Sequence, residues 1–372
     1  MRALPPILRV GATAVRRPAQ VPAAALLAVA TITLLATLLL LWLAAAPAAH
    51  AATRGVEKGV SFTGYWNDSY VGKAPRASLR ALRATGANWA MVLVTVYQDD
   101  IEATTISRTE PNTPTDASLR SIIGYAHHIG LKVMLKPQLD LLNDPSQWRG
   151  QIGLDFTDAE WTAWFASYDA QIVHYATLAA ATHCEQFSVG CELDSTVGHE
   201  AAWRQVIADV RVVYHGKVTY ADDQITTDPH AVAWWDAVDL IGQDAYPTLS
   251  TGLHPTVAQL ETGWAGYDRL LLRLQRRFDK PVIFTEIGVR SIVGAGQAPW
   301  DWQVSGKVDL VGQARWYQAA LKTFAARAWL KGLFFWQWSP DPTVGGRKDG
   351  SYTPHGKPAE DVLRSWFAHR LH

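Results

Sequence analysis

The 372-residue sequence predicts an α/β protein: a (β/α)8 barrel preceded by an N-terminal signal or anchor segment. Three observations carry this. From residue 55 onward, short apolar runs alternate eight times with amphipathic helical stretches. The apolar runs are nearly continuous rather than alternating, as in parallel strands covered by helices on both faces. No linker, low-complexity tract or short repeat interrupts them. Eight such units in a body of this length fit a closed barrel better than an open doubly wound sheet.

Residues 1–52 stand apart from this pattern. Arg2, Arg9, Arg16 and Arg17 form a basic head without acids, and Val21–Pro47 is an apolar run of Ala, Leu, Val and Thr. Small residues at Ala49 and Ala51 offer a signal-peptidase site. The run is also long enough to span a bilayer. Both readings, cleaved signal or uncleaved membrane tether, put the body outside the cytoplasm: secreted, periplasmic or anchored facing outward. The pair Arg16-Arg17 is followed by Pro18-Ala19-Gln20, a poor match to twin-arginine export.

In the body, residues 55–372, the first strand is read at 59–66 (GVSFTGYW) and the second at 89–99 (WAMVLVTVYQD). The third is 131–140 (LKVMLKPQLD) and the fourth 185–193 (EQFSVGCEL). The fifth is KVTYADD, with a short helix near 229–236 leading to the sixth at 238–247 (VDLIGQDAYP). The seventh is PVIFTEIGV and the eighth 331–340 (LKGLFFWQWSP). Helices between them show start and stop signals. The helix opening at TDASLR has a capping Thr or Asp and stops on Gly130. A tryptophan-rich helix covers about 158–182.

Charge and cysteine content narrow the function. Removing the four leader arginines from 34 basic residues leaves 30 against 34 acidic ones. Nucleic-acid binding needs a basic footprint, and none is present. Of the two cysteines, Cys184 precedes and Cys191 ends the stretch 186–191, read as one extended strand. Such a strand holds its ends roughly 20 Å apart, beyond disulfide reach, so two free buried thiols are expected. No HxH on a first strand, HExxH or cysteine cluster offers a metal site. No GxSxG elbow or P-loop is found, and VGGRKDGS (344–351) reads as a turn. No cofactor is expected. His127-His128 reads as helix surface or packing. Nothing in the sequence demands a partner chain, and a monomer is expected.

A closed barrel places its active site at the C-terminal ends of the strands. The residues there are carboxylates, amides and aromatics. Glu192 ends strand four and Glu286 ends strand seven, on opposite sides of the mouth. A carboxylate in the apolar run VIFTEIGV is costly unless paired or used. Two facing carboxyls can divide roles, one protonated as an acid and one ionised as a nucleophile. That is the requirement of retaining glycoside hydrolysis, with carboxyls about 5–5.5 Å apart. Asp244 or Asp140 replacing one glutamate would suit an inverting scheme with a wider gap. Aromatic faces for sugars are available at Tyr65, Trp66, Tyr246, Trp336 and Trp338. Trp300 and Trp302 add to them from the loop after strand seven. Lys136 and Gln138 are read as pointing alternately, so that one of the two faces the site.

At these residues the sequence resembles the retaining glycoside hydrolases of clan A, with an acid/base Glu after strand four and a nucleophile Glu after strand seven. More narrowly it resembles glycoside hydrolase family 113, whose known members are mainly β-1,4-mannanases. GVSFTGYW, LKVMLKPQLD, SVGCELDS, GQDAYPTL, VIFTEIGVRS and FFWQWSPDP carry the resemblance, over roughly residues 57–342 and the final helix. It implies Glu192 as acid/base and Glu286 as nucleophile. It implies Tyr246 as the nucleophile's hydrogen-bond partner and Trp336 or Trp338 as the tryptophan under the reacting sugar. Two departures stand out. Cys191 occupies the position of the clan's Asn, which contacts the sugar 2-hydroxyl. The clan's arginine at the end of strand two is missing from VTVYQDD, and Lys136 is a candidate for the charge it would supply.

The expected function is a retaining glycoside hydrolase cleaving β-linked glycans by double displacement, with β-1,4-mannan or mannooligosaccharides first among substrates. The same chemistry on another β-glycan or an envelope polysaccharide is one alternative. A non-catalytic carbohydrate-binding barrel at the cell surface is the other.

Overall fold

A computed structural model describes residues 55–223 and 232–368. The leader reading of residues 1–52 lies outside the described residues. Eight parallel strands close in sequence order, β1 pairing with β8, as a TIM barrel. They are β1 Glu57–Phe62, β2 Trp89–Gln98, β3 Lys132–Leu141 and β4 Gln186–Cys191, followed by β5 Lys217–Asp222, β6 Leu240–Ala245, β7 Val282–Ile287 and β8 Leu330–Trp338.

Among the described residues seven α-helices wrap the barrel: α1 Lys73–Ala84, α2 Asp116–His128, α3 Asp158–Ala181, α4 Glu200–Val213, α5 Val257–Phe278, α6 Leu310–Phe324 and α7 Pro358–Ala368. The helix expected near 229–236 begins outside the described residues. Its described end is a 3-10 turn, Trp235–Ala237, so a helix after every strand is not what the described chain contains. Among the described residues no helix is long and apolar enough to cross a membrane.

Local sequence accounts for these elements. All ten residues of β2 are buried, because one face meets the helices and the other the barrel interior. Thr157 and Glu160 close a capping box at the start of α3, and Thr256 with Gln259 does the same for α5. Inside the barrel, Trp89, Met91 and Leu93 of β2 stack with Met134, Leu240, Ile283 and Phe334. The two-residue spacing on β2 sends these three side chains to one face. A side chain at Gly59 would collide with the Phe334 ring at 2.4 Å, so the glycine in β1 is what admits that ring to the interior. A larger apolar layer lies between strands and helices.

Beneath the interior layer, at the N-terminal end of β1, sits Glu57, 3% exposed. Gln186 Nε2 donates to both its oxygens at 2.8 Å, and Lys331 lies 3.3 Å away. Burial pushes Glu57 up to about 7, against the opposing charge of Lys331.

Candidate active site

Glu286 is the fifth residue of β7, where the strand emerges into the mouth; it is 4% exposed. Both its oxygens accept hydrogen bonds: Oε1 from Lys136 Nζ at 2.7 Å and Oε2 from the Tyr246 hydroxyl at 2.7 Å. Burial and the charge of Asp244 push its pKa upward, with the Lys136 ammonium opposing them and favouring the ionised form. Tyr246 follows β6, two residues beyond Asp244, and its ring meets Tyr352 edge-on at 6.3 Å.

Lys136 comes from β3 and is completely buried. Its ammonium is shared between Glu286 and Asp244 Oδ2, 2.7 Å from each. Burial works against its charge, but Asp244, Cys191 and Glu286 together hold its pKa well above the ordinary lysine value. Gln138 also turns toward the mouth, 4.0 Å from Cys191 Sγ through its side-chain oxygen. The expectation that Lys136 and Gln138 point to opposite sides is therefore wrong. Residues two apart on a strand share a face.

Glu192 follows β4 with φ 52°, in the left-handed region that a non-glycine residue enters at a cost of about 1–3 kcal/mol. Its N–H donates to Ala221 O at 2.8 Å, which fixes the turn. Arg149 Nη1 donates to Glu192 Oε2 at 2.5 Å. The same guanidinium donates to Leu139 O at 2.8 Å and contacts Asp140 Oδ2 at 3.2 Å. Burial raises Glu192, and Arg149 opposes it. Nearby, Asp223 shares a hydrogen bond with Asp194. Burial and the charges of Glu192 and Asp194 push its pKa upward.

Cys191 and Cys184 are both buried and unbridged. Cys191 Sγ lies 3.4 Å from Asp244 Oδ2, and burial holds the thiol well above its usual pKa. Cys191, Asp244 and Glu286 bring three potential metal-ligand atoms within 4.8 Å of one another. The sequence offered no motif for that grouping. The Lys136 ammonium already serves two of the three groups as their cation.

Strand eight corrects another expectation. Trp336 packs on the interior layer and caps it. Trp338 is fully buried on the helix side, where its Nε1 donates to Ser78 Oγ of α1 at 2.9 Å and its ring meets His355. It has no access to the mouth. Trp336 and Trp338, although two apart, lie in different layers. Gln337 Oε1 accepts from Thr63 Oγ1 at 2.6 Å and from the Tyr65 hydroxyl at 3.3 Å.

The remaining predicted aromatics are exposed in loops at this end of the barrel: Trp66 at 62%, Trp300 at 57% and Trp302 at 70%. The loop carrying Trp300 and Trp302 is tied down. Arg290 donates to the carbonyls of Trp302 and Val304, and Tyr352 donates to Pro299 O at 2.7 Å.

Sequence reasoning missed Arg149, which lies in a loop where no strand period locates it. It considered Asp244 only as a substitute for a glutamate. The buried Lys136 was the available signal, since a buried ammonium requires counter-ions. A cavity of about 230 Å³ lined by Cys184, Tyr214 and Gly216 lies at the opposite end of the strands and gathers none of these groups.

Residues 60–357 match the profile of Glycoside Hydrolase Family 113. The chain belongs to that family. The family 113 β-mannanase AaManA from Alicyclobacillus acidocaldarius, solved in complex with ManMIm, is 35% identical. The match covers 86% of this chain and 99% of that one, with a TM-score of 0.74. A family 113 β-1,4-mannanase is 31% identical over 84% of this chain and 99% of its own, also with a TM-score of 0.74. A family 5 mannosidase from Rhizomucor miehei, at 11% identity, covers 85% of this chain and 93% of its own with a TM-score of 0.60 and shares the fold alone. No curated protein sequence matches. As a member of family 113 the chain is a glycoside hydrolase, so the alternative of a non-catalytic binding barrel does not stand.

Proposed function

We propose that this family 113 enzyme is a retaining β-mannanase, acting on β-1,4-mannan or mannooligosaccharides by double displacement. The observation that carries the mechanism is the environment of Glu286. Lys136 and Tyr246 aim one donor at each oxygen, which satisfies an ionised carboxylate and orients it. Such a group suits attack on an anomeric carbon. Glu192, raised by burial, suits the acid that protonates the departing oxygen and then the base that takes a proton from water. The mannan assignment is supported by the solved β-mannanases to which the chain is 30–35% identical over most of its length.

Trp336, capping the interior layer beside the mouth, suits the floor under the reacting sugar. The exposed Trp66, Trp300 and Trp302 suit more distant sugars of a chain substrate.

Reducing-end release from β-mannan by the body, residues 55–372, tests the reading. Wild type is expected to release mannooligosaccharides, with Glu286→Ala and Glu192→Ala reduced by several orders of magnitude. Wild-type rates in either variant would sink the assignment. On 2,4-dinitrophenyl β-mannobioside, whose leaving group departs without a proton, azide is expected to rescue Glu192→Ala by giving a β-mannobiosyl azide, the product of retention.

A further inference from the structure

Lys136 and Asp244 belong to strands that do not touch, since β4 and β5 separate β3 from β6 around the barrel. Their side chains meet across the interior, both fully shielded from solvent. The displacement described above does not use Asp244, yet Asp244 is elaborately held. Its Oδ1 accepts from Thr285 Oγ1 at 2.7 Å, and its Oδ2 faces Lys136 and the Cys191 thiol. Asp244 and Glu286 are register partners on β6 and β7, directly after a bulge between Gln243 and Asp244. The backbone therefore sets the two carboxyls side by side with one ammonium between them.

The chemistry gives this arrangement a purpose. In the first half-reaction a bond forms between a Glu286 oxygen and the anomeric carbon, and the glycosidic C–O bond breaks. Its electron pair leaves on the aglycone oxygen, which takes the proton of Glu192. Glu286 is then a neutral ester. A buried ammonium whose counter-ion was the nucleophile alone would be stranded at that moment, and stranded buried charge is strongly destabilising. We propose that Asp244 is a positioning residue for Glu286, acting through Lys136 as the permanent counter-ion that keeps the ammonium seated and charged in the free enzyme and the glycosyl-enzyme alike. This rests on the double-displacement reading of Glu286.

The groups facing Glu286 are Lys136 from β3, Cys191 and Glu192 from the end of β4, and Asp244 and Tyr246 from β6. Tyr65 follows β1, Arg149 lies beyond β3 and Tyr352 lies beyond β8. Asp244 and Lys136 act on Glu286 with opposite sign, the carboxylate raising its pKa and the ammonium lowering it. Asp244→Asn deletes a negative charge and leaves the ammonium wholly to Glu286, so the Glu286 pKa falls. Lys136→Met leaves two carboxyls facing each other, so it rises. Lys136→Met/Asp244→Asn removes both charges and lies between the single variants.

The test is a carbon-13 NMR titration of the full chain labelled at glutamate carboxyls, with the Glu286 signal assigned by its loss in Glu286→Gln. A downward shift of about one pH unit or more is expected in Asp244→Asn and an upward shift in Lys136→Met. An unmoved Glu286 in Asp244→Asn overturns the proposal. If Asp244→Asn does not fold, wild type trapped with a 2-deoxy-2-fluoro-β-mannosyl fluoride decides. Nitrogen-15 lysine spectra are expected to show Lys136 still as an ammonium at pH 8 in the ester. A neutral amine there overturns the proposal. The titration needs no turnover. Wild type that fails to hydrolyse 2,4-dinitrophenyl β-mannobioside would count against the proposed function while the titration result stands.

Discussion

Arg149 donates to Glu192 across a short 2.5 Å contact while holding the end of β3 through the carbonyl of Leu139. The arginine thus links the acid/base candidate to the strand that supplies Lys136. Its charge opposes the upward push that burial gives Glu192. In Arg149→Gln the Glu192 pKa is expected to rise further. The alkaline limb of the kcat/KM profile, which requires a protonated Glu192, moves to higher pH. Loss of the orienting contact lowers kcat about 10–100-fold. An unchanged alkaline limb would show that Arg149 acts on the loop alone.

Tyr246 donates to the second oxygen of Glu286. Tyr246→Phe removes a hydrogen bond that favours the ionised carboxylate, so the Glu286 pKa rises further in the direction burial already pushes it. The acid limb of kcat/KM is expected to move to higher pH, with kcat reduced about tenfold or more. The pH profiles of the two proteins, measured side by side on one aryl mannoside, give the answer.

The two strand-eight tryptophans are expected to separate cleanly. Trp338 is packed against α1 and bonded to Ser78. Trp338→Ala removes a fully buried indole and costs about 3–5 kcal/mol of stability. Trp336 stands partly open above the interior layer, and Trp336→Ala is expected to weaken mannan hydrolysis about tenfold or more with a much smaller effect on thermal unfolding. Thermal scans and progress curves on the same samples distinguish them.

Glu57 makes a stability prediction remote from the site. Its folded pKa, near 7, lies above its unfolded value. Below about pH 4 both states are protonated and nothing is lost. As pH rises toward 7 the unfolded chain ionises first, so stability falls through that window and stays reduced above it. The deficit is about 3 kcal/mol at most. Glu57→Gln removes it and gives the unpartnered Gln186 Oε1 a donor. The variant is expected to melt several degrees higher than wild type at pH 8, with little difference at pH 4. Equal melting temperatures at pH 8 would refute this.

The barrel was legible because its strands are buried on both faces and read as continuous apolar runs. Glu286 and Glu192 stood out for the same reason: a carboxylate at the end of such a run is conspicuous. The network around them was not legible. Lys136 meets Asp244 and Glu286 only because three strands far apart in sequence converge on one interior, a fact of closure that no local pattern contains. Arg149 arrives from a loop, where periodicity gives no direction. Trp338 was misjudged because it stands at the strand's end among aromatics, and the sequence does not show that its ring turns to the helices. Lys136 and Gln138 were misjudged in the opposite sense, although period two alone places them together.

The two cysteines have a practical consequence. Cys184 lies near the N-terminal end of β4 and Cys191 at its C-terminal end, both shut away from solvent and neither bridged. Folding therefore does not wait on an oxidant, and the thiols become built-in clocks. An alkylating reagent reaches Cys184 as the packing between α3 and β4 loosens and Cys191 as the mouth does. The two labelling rates, read by mass after digestion, report separately how often each end of the same strand breathes.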